Sequence, residues 1–259
     1  MKIAVVGSGI AGLASAWLLS QAHEVVLFEA NDYLGGHTHT HDIEREHGRY
    51  RVDTGFIVHN PQHYPLLTRL FRTLDVATQA TTMSFSVRNE ASGLEYNATT
   101  LDTLFCQRRN LLSPRFWGML RDLVRFYRNA PALLGLQGEG PTLGDYLAEG
   151  RYGDAFRDEH LVPMASALWS SPSTQILRFP AKYLVQFMAN HHMLQLTGRP
   201  EWRVVRGGSR SYVDALRATW RVQERLRAPV RMALRDGEGV VVVSEGADGR
   251  GERFDHLVL

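Results

Sequence analysis

The sequence predicts a mixed α/β fold, with a parallel sheet opening the chain, a mainly helical middle and a return through further strands. Three observations carry that expectation. The first forty residues read as strand, glycine-rich turn, helix and strand. Apolar residues then recur at helical spacing from about Leu101 to His192. Beyond residue 204, short apolar or alternating runs resume between glycine-rich turns.

Bulk properties bound the function. A chain of 259 residues, 44% of them hydrophobic, can bury a sizeable core. The formal charge is only +2 and the basic residues, nearly all arginine, are scattered among acids, so nothing demands a nucleic-acid partner. A single cysteine, Cys106, excludes an internal disulfide framework and a cysteine zinc cluster, and fits a reducing, cytoplasmic setting. Lys2 and the apolar run behind it resemble an export signal, but Gly7, Gly9 and Gly12 interrupt that run at a spacing with its own mechanical meaning. No later run reaches the roughly eighteen uninterrupted apolar residues of a membrane span.

Lys2 to Val6 reads as a short buried strand, Ile10 to Ser20 as a helix with Leu13, Trp17 and Leu18 inward, and Glu24 to Phe28 as a second buried strand. The turn between the first strand and the helix is Gly7-Ser8-Gly9-Ile10-Ala11-Gly12, a G-x-G-x-x-G. In such a turn the first glycine allows the sharp bend, the second lets the backbone approach a pyrophosphate, and the third lets helix and strand pack closely. The helix then turns its unpaired N–H groups toward the anion. Glu29 ends the second strand where an acid accepts hydrogen bonds from a ribose, and its charge disfavours a 2′-phosphate and hence NADP. NAD and FAD both remain compatible with these residues.

The run EANDYLGGHTHT follows. It resembles the second glycine element of FAD-dependent amine oxidases and carotenoid-desaturase-like enzymes, through Glu29, Ala30, Gly35, Gly36 and Thr38 or Thr40. The resemblance implies FAD as cofactor, with this loop along its diphosphate. His37 stands where that family usually has arginine, and a neutral imidazole donates one hydrogen bond rather than carrying a permanent charge. In an extended strand His37, His39 and His41 would share one face, as metal ligands could. Catalytic metal sites also need an open position and oriented partners, and no metal site is expected.

RYRVDTGFIVHN resembles the family's next element, which implies that Gly55, Phe56, Ile57 and Val58 lie near the flavin ring. His59, Asn60 and His63 surround Pro61 as polar groups for a substrate pocket or as plain loop residues. Leu66, Leu67, Leu70, Phe71 and Leu74 have helical spacing, and a hairpin is expected to turn near Ser92-Gly93.

A basic amphipathic helix should start at Pro114, capped by Ser113, with Phe116, Leu120, Leu123, Val124 and Tyr127 as its apolar stripe beside Arg121, Arg125 and Arg128. Such a helix covers a core or touches an anionic membrane. Trp169, Phe179, Tyr183, Phe187 and Met188 suit an apolar tunnel or a core, and adjacent His191 and His192 point apart in a helix.

VVRGGSRSYVDAL resembles the family's return element, with Gly207 and Gly208 as the turn and Tyr212, Val213 and Leu216 buried. PVRMAL, GVVVVSEG and RFDHLVL resemble its strand meander, which implies that Val230 touches the adenosine end and that the last strand rejoins the parallel sheet.

The resemblance therefore implies a Rossmann-like FAD-binding domain, parallel sheet plus β-meander, at residues 1–64 and 204–259, with a mainly helical substrate domain inserted at 65–203. Relatives continue past the final strand, so the chain is expected to be truncated at its C-terminus. The implied activity is a flavin-dependent oxidoreductase taking hydride from a small or hydrophobic substrate, with an unsaturated acyl lipid as one candidate and peripheral membrane contact as a corollary. An NAD-dependent dehydrogenase leaves Gly35-Gly36 and Gly207-Gly208 unexplained. A flavin- or lipid-binding accessory protein without turnover is the remaining reading. No acid or base is assigned; the resemblance implies that the lysine near the flavin ring comes from later in the chain, and the only lysines here are Lys2 and Lys182. Cys106 as a covalent flavin anchor is less favoured than a plain free thiol.

Overall fold

In the computed structural model, residues 1–259 are described except 170, 196, 197, 199 and 246–250. The last of these gaps holds the glycine-rich turn after GVVVVSE, which therefore lies outside the described residues. The chain runs β1 (Lys2–Val6), α1 (Ile10–Leu19), β2 (Glu24–Phe28), β3 (Thr40–Arg45), β4 (Gly48–Asp53), β5 (Val58–His59), α2 (Pro65–Thr73) and β6 (Thr78–Thr81). It continues through β7 (Ser86–Asn89), β8 (Leu94–Asn97), α3 (Leu101–Leu104), α4 (Pro114–Asn129), α5 (Leu143–Glu149), α6 (Asp154–Phe156), α7 (Val162–Trp169), α8 (Ser173–Ile176) and α9 (Ala181–Asn190). It returns as β9 (Trp202–Val205), α10 (Arg210–Thr219), β10 (Val222–Arg225), β11 (Val230–Asp236), β12 (Gly239–Ser244), β13 (Glu252–Phe254) and β14 (His256–Val258).

Two compact units result, one made of residues 1–81 with 201–259 and the other of 82–200. The helix and strand at 65–81, expected with the insert, belong to the first unit, where Phe71 joins the buried cluster of Val5, Leu13 and Tyr212.

The first unit is built on a parallel sheet in the order β10-β2-β1-β14. Alternation along β1 and β2 sends Val5, Val25 and Leu27 toward the cluster holding Leu13 of α1 and Val213 and Leu216 of α10. Ala4, Val26 and Phe28 face the other way, onto Val240, Val242 and Phe254 of the antiparallel meander β11-β12-β13. Helices thus cover one face and a meander the other, as a sheet buried on both sides requires.

Several expectations need correction here. Leu18 of α1 is exposed, and Ala16 is buried with Leu13 instead. Within RFDHLVL, Arg253 and Phe254 belong to the meander strand β13, while β14 rejoins the parallel sheet beside β1 as expected. β10 has no counterpart in the sequence reading, because VQER carries a single apolar residue and is a strand only by pairing with β2. In β11 only Val230 is half-buried and the remaining residues are exposed.

The second unit has one core. Phe116, Met119, Phe126, Phe156, Leu161, Leu184, Val185 and Met188 are all buried in it, together with Tyr96 of the β7–β8 hairpin. The hairpin turns at Gly93, whose positive φ of 68° suits glycine and whose N–H donates to the Asn89 carbonyl. Ser113 caps α4 by accepting from the Phe116 N–H at 3.2 Å. The expected stripe of α4 holds except at Val124, for Phe116 is buried and Leu120, Leu123 and Tyr127 pack against the same core. Met119 and Asp122 turn inward, Val124 faces out, and Asp122 is held by Arg125 and by the Gly153 N–H. Arg125 in turn lies 4.0 Å over the Tyr152 ring, so this helix spends part of its basic face inside its own unit.

Candidate functional site

The site is assembled at the carboxyl ends of β1 and β2, where parallel sheets of this kind bind ligands. Gly7 leaves β1 with φ of 90° and donates its N–H to the Phe28 carbonyl at 2.8 Å. A Cβ on Gly12 would stand 1.9 Å from the Gly7 carbonyl oxygen, so only glycine lets α1 start this close to the strand. A Cβ on Gly9 would meet nothing within 4 Å, which leaves open space on that side of the turn. No side chain caps the N-terminus of α1 and no acid stands in its first turn. These features fit a negatively charged diphosphate.

Glu29 is almost fully buried at the end of β2. One carboxylate oxygen accepts from the Ser8 N–H at 2.8 Å and the Ser8 hydroxyl at 2.5 Å, the other from the Asn31 N–H at 2.8 Å and its side-chain amide at 2.9 Å. Burial alone would raise its pKa, but the hydrogen bonds from Asn31 and Ser8 outweigh burial and hold the carboxyl below its ordinary value. The group is therefore an anion, and a ribose hydroxyl would add to or replace one of the side-chain donors. Ala30, next along, is exposed. Ala228 donates its N–H to the Glu29 carbonyl and Arg227 to that of Asn31, which sets the start of β11, with Val230, beside this end of the site.

The second glycine element packs directly on the first. The Gly35 N–H donates to the Ser8 carbonyl at 3.0 Å, and a Cβ on Gly36 would lie 3.2 Å from the Gly9 Cα. Gly35 and Gly36 both have positive φ, 124° and 57°. Thr38 closes the turn, donating its N–H to Gly35 and pairing its buried hydroxyl with Tyr212 of α10. His37 is exposed. The third element meets the second at the same place, for a Cβ on Gly55 would stand 1.7 Å from the His37 carbonyl oxygen. After Gly55, Phe56 and Ile57 are 39% and 46% exposed in succession, an apolar surface suited to the face of a planar ring.

The three motifs are thus interlocked through Gly9, Gly36, His37 and Gly55. The sequence reading missed what holds the lock shut. Asp53, at the end of β4, accepts from the Ser209 N–H and hydroxyl and from the Thr40 hydroxyl, and Thr40 accepts from the Arg210 N–H at 2.9 Å. Ser209 does not cap α10 with its own side chain, so a carboxylate 156 residues distant serves the start of that helix. The signal available in the sequence was only an acid two residues before Gly55.

His59 and Asn60 are buried. His59 packs edge-on against Phe71 at 5.1 Å, while the Asn60 side-chain carbonyl accepts from the His63 N–H at 2.8 Å to form the turn into α2. The histidine run divides. His39 and His41 lie ring to ring at 4.1 Å and His39 stacks on Tyr33, whereas His37 precedes the strand; among the described residues no group of three or more His, Cys, Asp or Glu is placed to hold a metal ion. In the second unit, Cys106 is exposed with its sulfur 3.4 Å from the Glu95 carbonyl oxygen. Among the described residues no helix is long and apolar enough to cross a membrane.

A family model for flavin containing amine oxidoreductases matches residues 10–259. The chain belongs to this family. FAD is the cofactor that membership brings, and the interlocked glycine loops, the uncapped helix end and the apolar Phe56-Ile57 surface fit it. Among solved structures the chain is similar to cyclohexylamine oxidase from Brevibacterium oxydans IH-35A, at 22% identity and a TM-score of 0.71 over 100% of this chain and 57% of that one. It is also similar to the CLA-producing fatty acid isomerase from P. acnes, at 17% identity and a TM-score of 0.59 over 98% of this chain and 57% of that one. Over 55 residues it is 46% identical to 1-hydroxycarotenoid 3,4-desaturase of Flavobacterium sp. (strain P99-3), which covers 21% of this chain and 10% of that protein. The two structural likenesses establish the fold, and the chain spans 57% of the length of either neighbour.

Proposed function

We propose that this chain forms the cofactor-holding part of an FAD-dependent oxidoreductase that removes hydride from a small or hydrophobic substrate. The carrying observation is the interlock of Gly9, Gly36 and Gly55, since a nicotinamide dehydrogenase has no use for the second and third elements. When bound, the flavin supplies a two-electron acceptor; binding, orientation and exclusion of water fall to the protein. Gly7, Ser8, Gly9, Ile10, Ala11 and Gly12 line the diphosphate through backbone N–H groups. Glu29 and Ala30 take the ribose, and Val230 the adenosine end. Gly35, Gly36 and His37 flank the diphosphate from the other side, with Thr38 holding their turn. Gly55, Phe56, Ile57 and Val58 back the flavin ring.

The helical unit supplies the substrate side in this reading. Trp169, Phe179 and Phe187 cluster at ring distances of 5.3 and 5.5 Å, and Phe179 and Tyr183 are well exposed, a surface suited to an apolar chain. The carotenoid desaturase and the fatty acid isomerase are named for hydrophobic molecules and cyclohexylamine oxidase for a small amine, so both substrate classes are carried, with an unsaturated acyl lipid as the candidate tested first.

The test is the visible spectrum of the purified full-length protein, with the chromophore released by heat and identified. Non-covalent FAD that bleaches under anaerobic addition of an unsaturated fatty acid supports the whole reading. A colourless protein that binds NADH and cannot be reconstituted with FAD defeats it. Bound FAD that no acyl substrate or amine bleaches defeats the catalytic part alone.

A further inference from the structure

The second unit holds a cavity of about 240 Å³ that shares no residue with the proposed cofactor site. Four segments bound it: the β7–β8 hairpin turn, the 3-10 turn Arg108–Leu112, the start of α4, and a π-helical turn, Arg157–Leu161, between α6 and α7. The π turn puts Glu159 into the wall, and the Tyr96 hydroxyl donates to the Glu159 backbone carbonyl at 2.9 Å and so fixes that position. The Glu159 side chain is only 4% exposed, yet among the described residues its carboxylate accepts no hydrogen bond. Its one ion pair there is with Arg115 Nε, at 3.3 Å. Asn110 is a second case. It is 5% exposed, its amide reaches Gln107 only at 3.5 Å, and its side-chain carbonyl accepts nothing among the described residues. Buried acceptors of this kind are costly unless a donor reaches them, and both line the same cavity.

We propose that this cavity binds a small apolar α-amino acid as its zwitterion, with the ammonium on Glu159 and Asn110, the carboxylate on Arg109 and Arg115, and the side chain against Leu94 and Phe116. Donors for the carboxylate are at hand. Arg109 commits one N–H group to the Gly93 carbonyl at 2.6 Å and Arg115 one toward Glu159, so most of each five-donor fork is uncommitted among the described residues. The Ser113 hydroxyl oxygen accepts from the Phe116 N–H, which leaves its own proton to donate to the same carboxylate. Charge selects a zwitterion over an ion of one sign. Arg115 is paired with Glu159 and Arg108 with Asp102, while Glu90 and Glu95 stand by the Gly93 turn that anchors Arg109, with Arg88 opposite Glu95. The surroundings are thus close to balanced. A lone anion meets Glu159 and a lone cation meets two guanidinium groups, whereas a zwitterion satisfies both. Size argues the same way, for the volume exceeds the roughly 30 Å³ of one water and falls short of the roughly 300 Å³ at which drug-sized ligands begin. The proposal concerns the second unit alone and does not depend on the function proposed above.

The test is isothermal titration of the full-length protein, as purified, with L-valine and L-leucine. Each is set beside the acid lacking its amine and the amine lacking its carboxylate: isovalerate and isobutylamine for valine, isocaproate and isoamylamine for leucine. At least one amino acid is expected to bind below about 10 mM, and each of its single-charge analogues about ten-fold more weakly. Glu159→Gln keeps the shape and removes the charge, and should weaken binding about ten-fold or more. Arg109→Gln, at an exposed position, should weaken it about five-fold. Arg128→Gln, an exposed arginine at the far end of α4, should leave it unchanged. Melting curves report whether the variants fold, and Arg109→Gln carries the test by itself if Glu159→Gln does not. Absence of binding by both amino acids up to about 10 mM overturns the proposal. So does an analogue of single charge that binds as tightly as its amino acid, or binding that the folded variants leave intact. Bleaching of the flavin alongside such intact binding would put the amino acid at the catalytic centre instead.

Discussion

The turns after β2 and β4 are each organised by a strand-terminal carboxylate, yet the two carboxylates do different work. Glu29 gathers its donors locally, from Ser8 and Asn31, and stands among residues that form a short recognisable motif. Asp53 gathers Ser209 and Thr40, and through them holds the start of α10 against the β3–β4 hairpin. In the function we propose, the first belongs to the surface offered to the cofactor. The second fixes the backbone on which the second and third glycine elements ride. A carboxylate at a strand end next to a glycine is therefore not by position alone a ligand group; its partners decide.

The largest effect should come from breaking the shared frame. Gly55→Ala drives a methyl group into the His37 carbonyl, and Gly12→Ala drives one into that of Gly7, so each should abolish FAD retention, read as the flavin-to-protein absorbance ratio of the purified full-length protein. Gly9→Ala, which meets no protein atom, should fold normally and lose FAD only by filling the ligand's space.

The comparison is sharpened by paired substitutions. Asp53→Ala should cost about 2 kcal/mol of stability in urea denaturation, as loss of a helix cap and of a charged acceptor does. Glu29→Gln should weaken FAD binding about ten-fold in a flavin fluorescence titration, with the smaller stability change of the two. The opposite ranking would mean that the two acids have been assigned the wrong way round.

Titration gives a third contrast. Burial, then the nearby Arg203 charge, holds His59 below its ordinary value of 6.5, so the unfolded chain takes this proton first. Stability should therefore begin to fall as pH drops below about 6.5, and His59→Gln should flatten that part of the profile. Glu29 acts lower. Its native pKa lies under the ordinary 4.5, so its stabilisation is complete above that pH and is lost as pH falls through the native value. The smallest effect concerns His37. His37→Arg places a permanent cation beside the diphosphate at an exposed position, and should tighten FAD about two- to five-fold at low salt, with the gain fading as salt rises.

Legibility followed sequence distance. The strand–turn–helix–strand opening, the hairpin at Gly93 and the Ser113 cap are set within a few residues and were readable from spacing. The inward face of α4 was readable only in part, because Asp122 is buried against polar partners that hydrophobic periodicity does not count. β10 and the role of Asp53 were not readable. A polar strand exists by virtue of the strand beside it, and a carboxylate leaves no mark in sequence of a donor 156 residues away.

The sequence by itself determined that a glycine turn opens a βαβ unit, and that a second glycine pair and a Gly55 element accompany it. Those choices are local, since only glycine tolerates the required φ or the missing Cβ. Tertiary structure alone decided that the three elements meet at Gly9, Gly36, His37 and Gly55, and that Thr38 and Asp53 hold them there through α10. The reason is that such meetings depend on how sheet, helix and hairpin pack across long chain separations, and no periodicity along the chain records that packing.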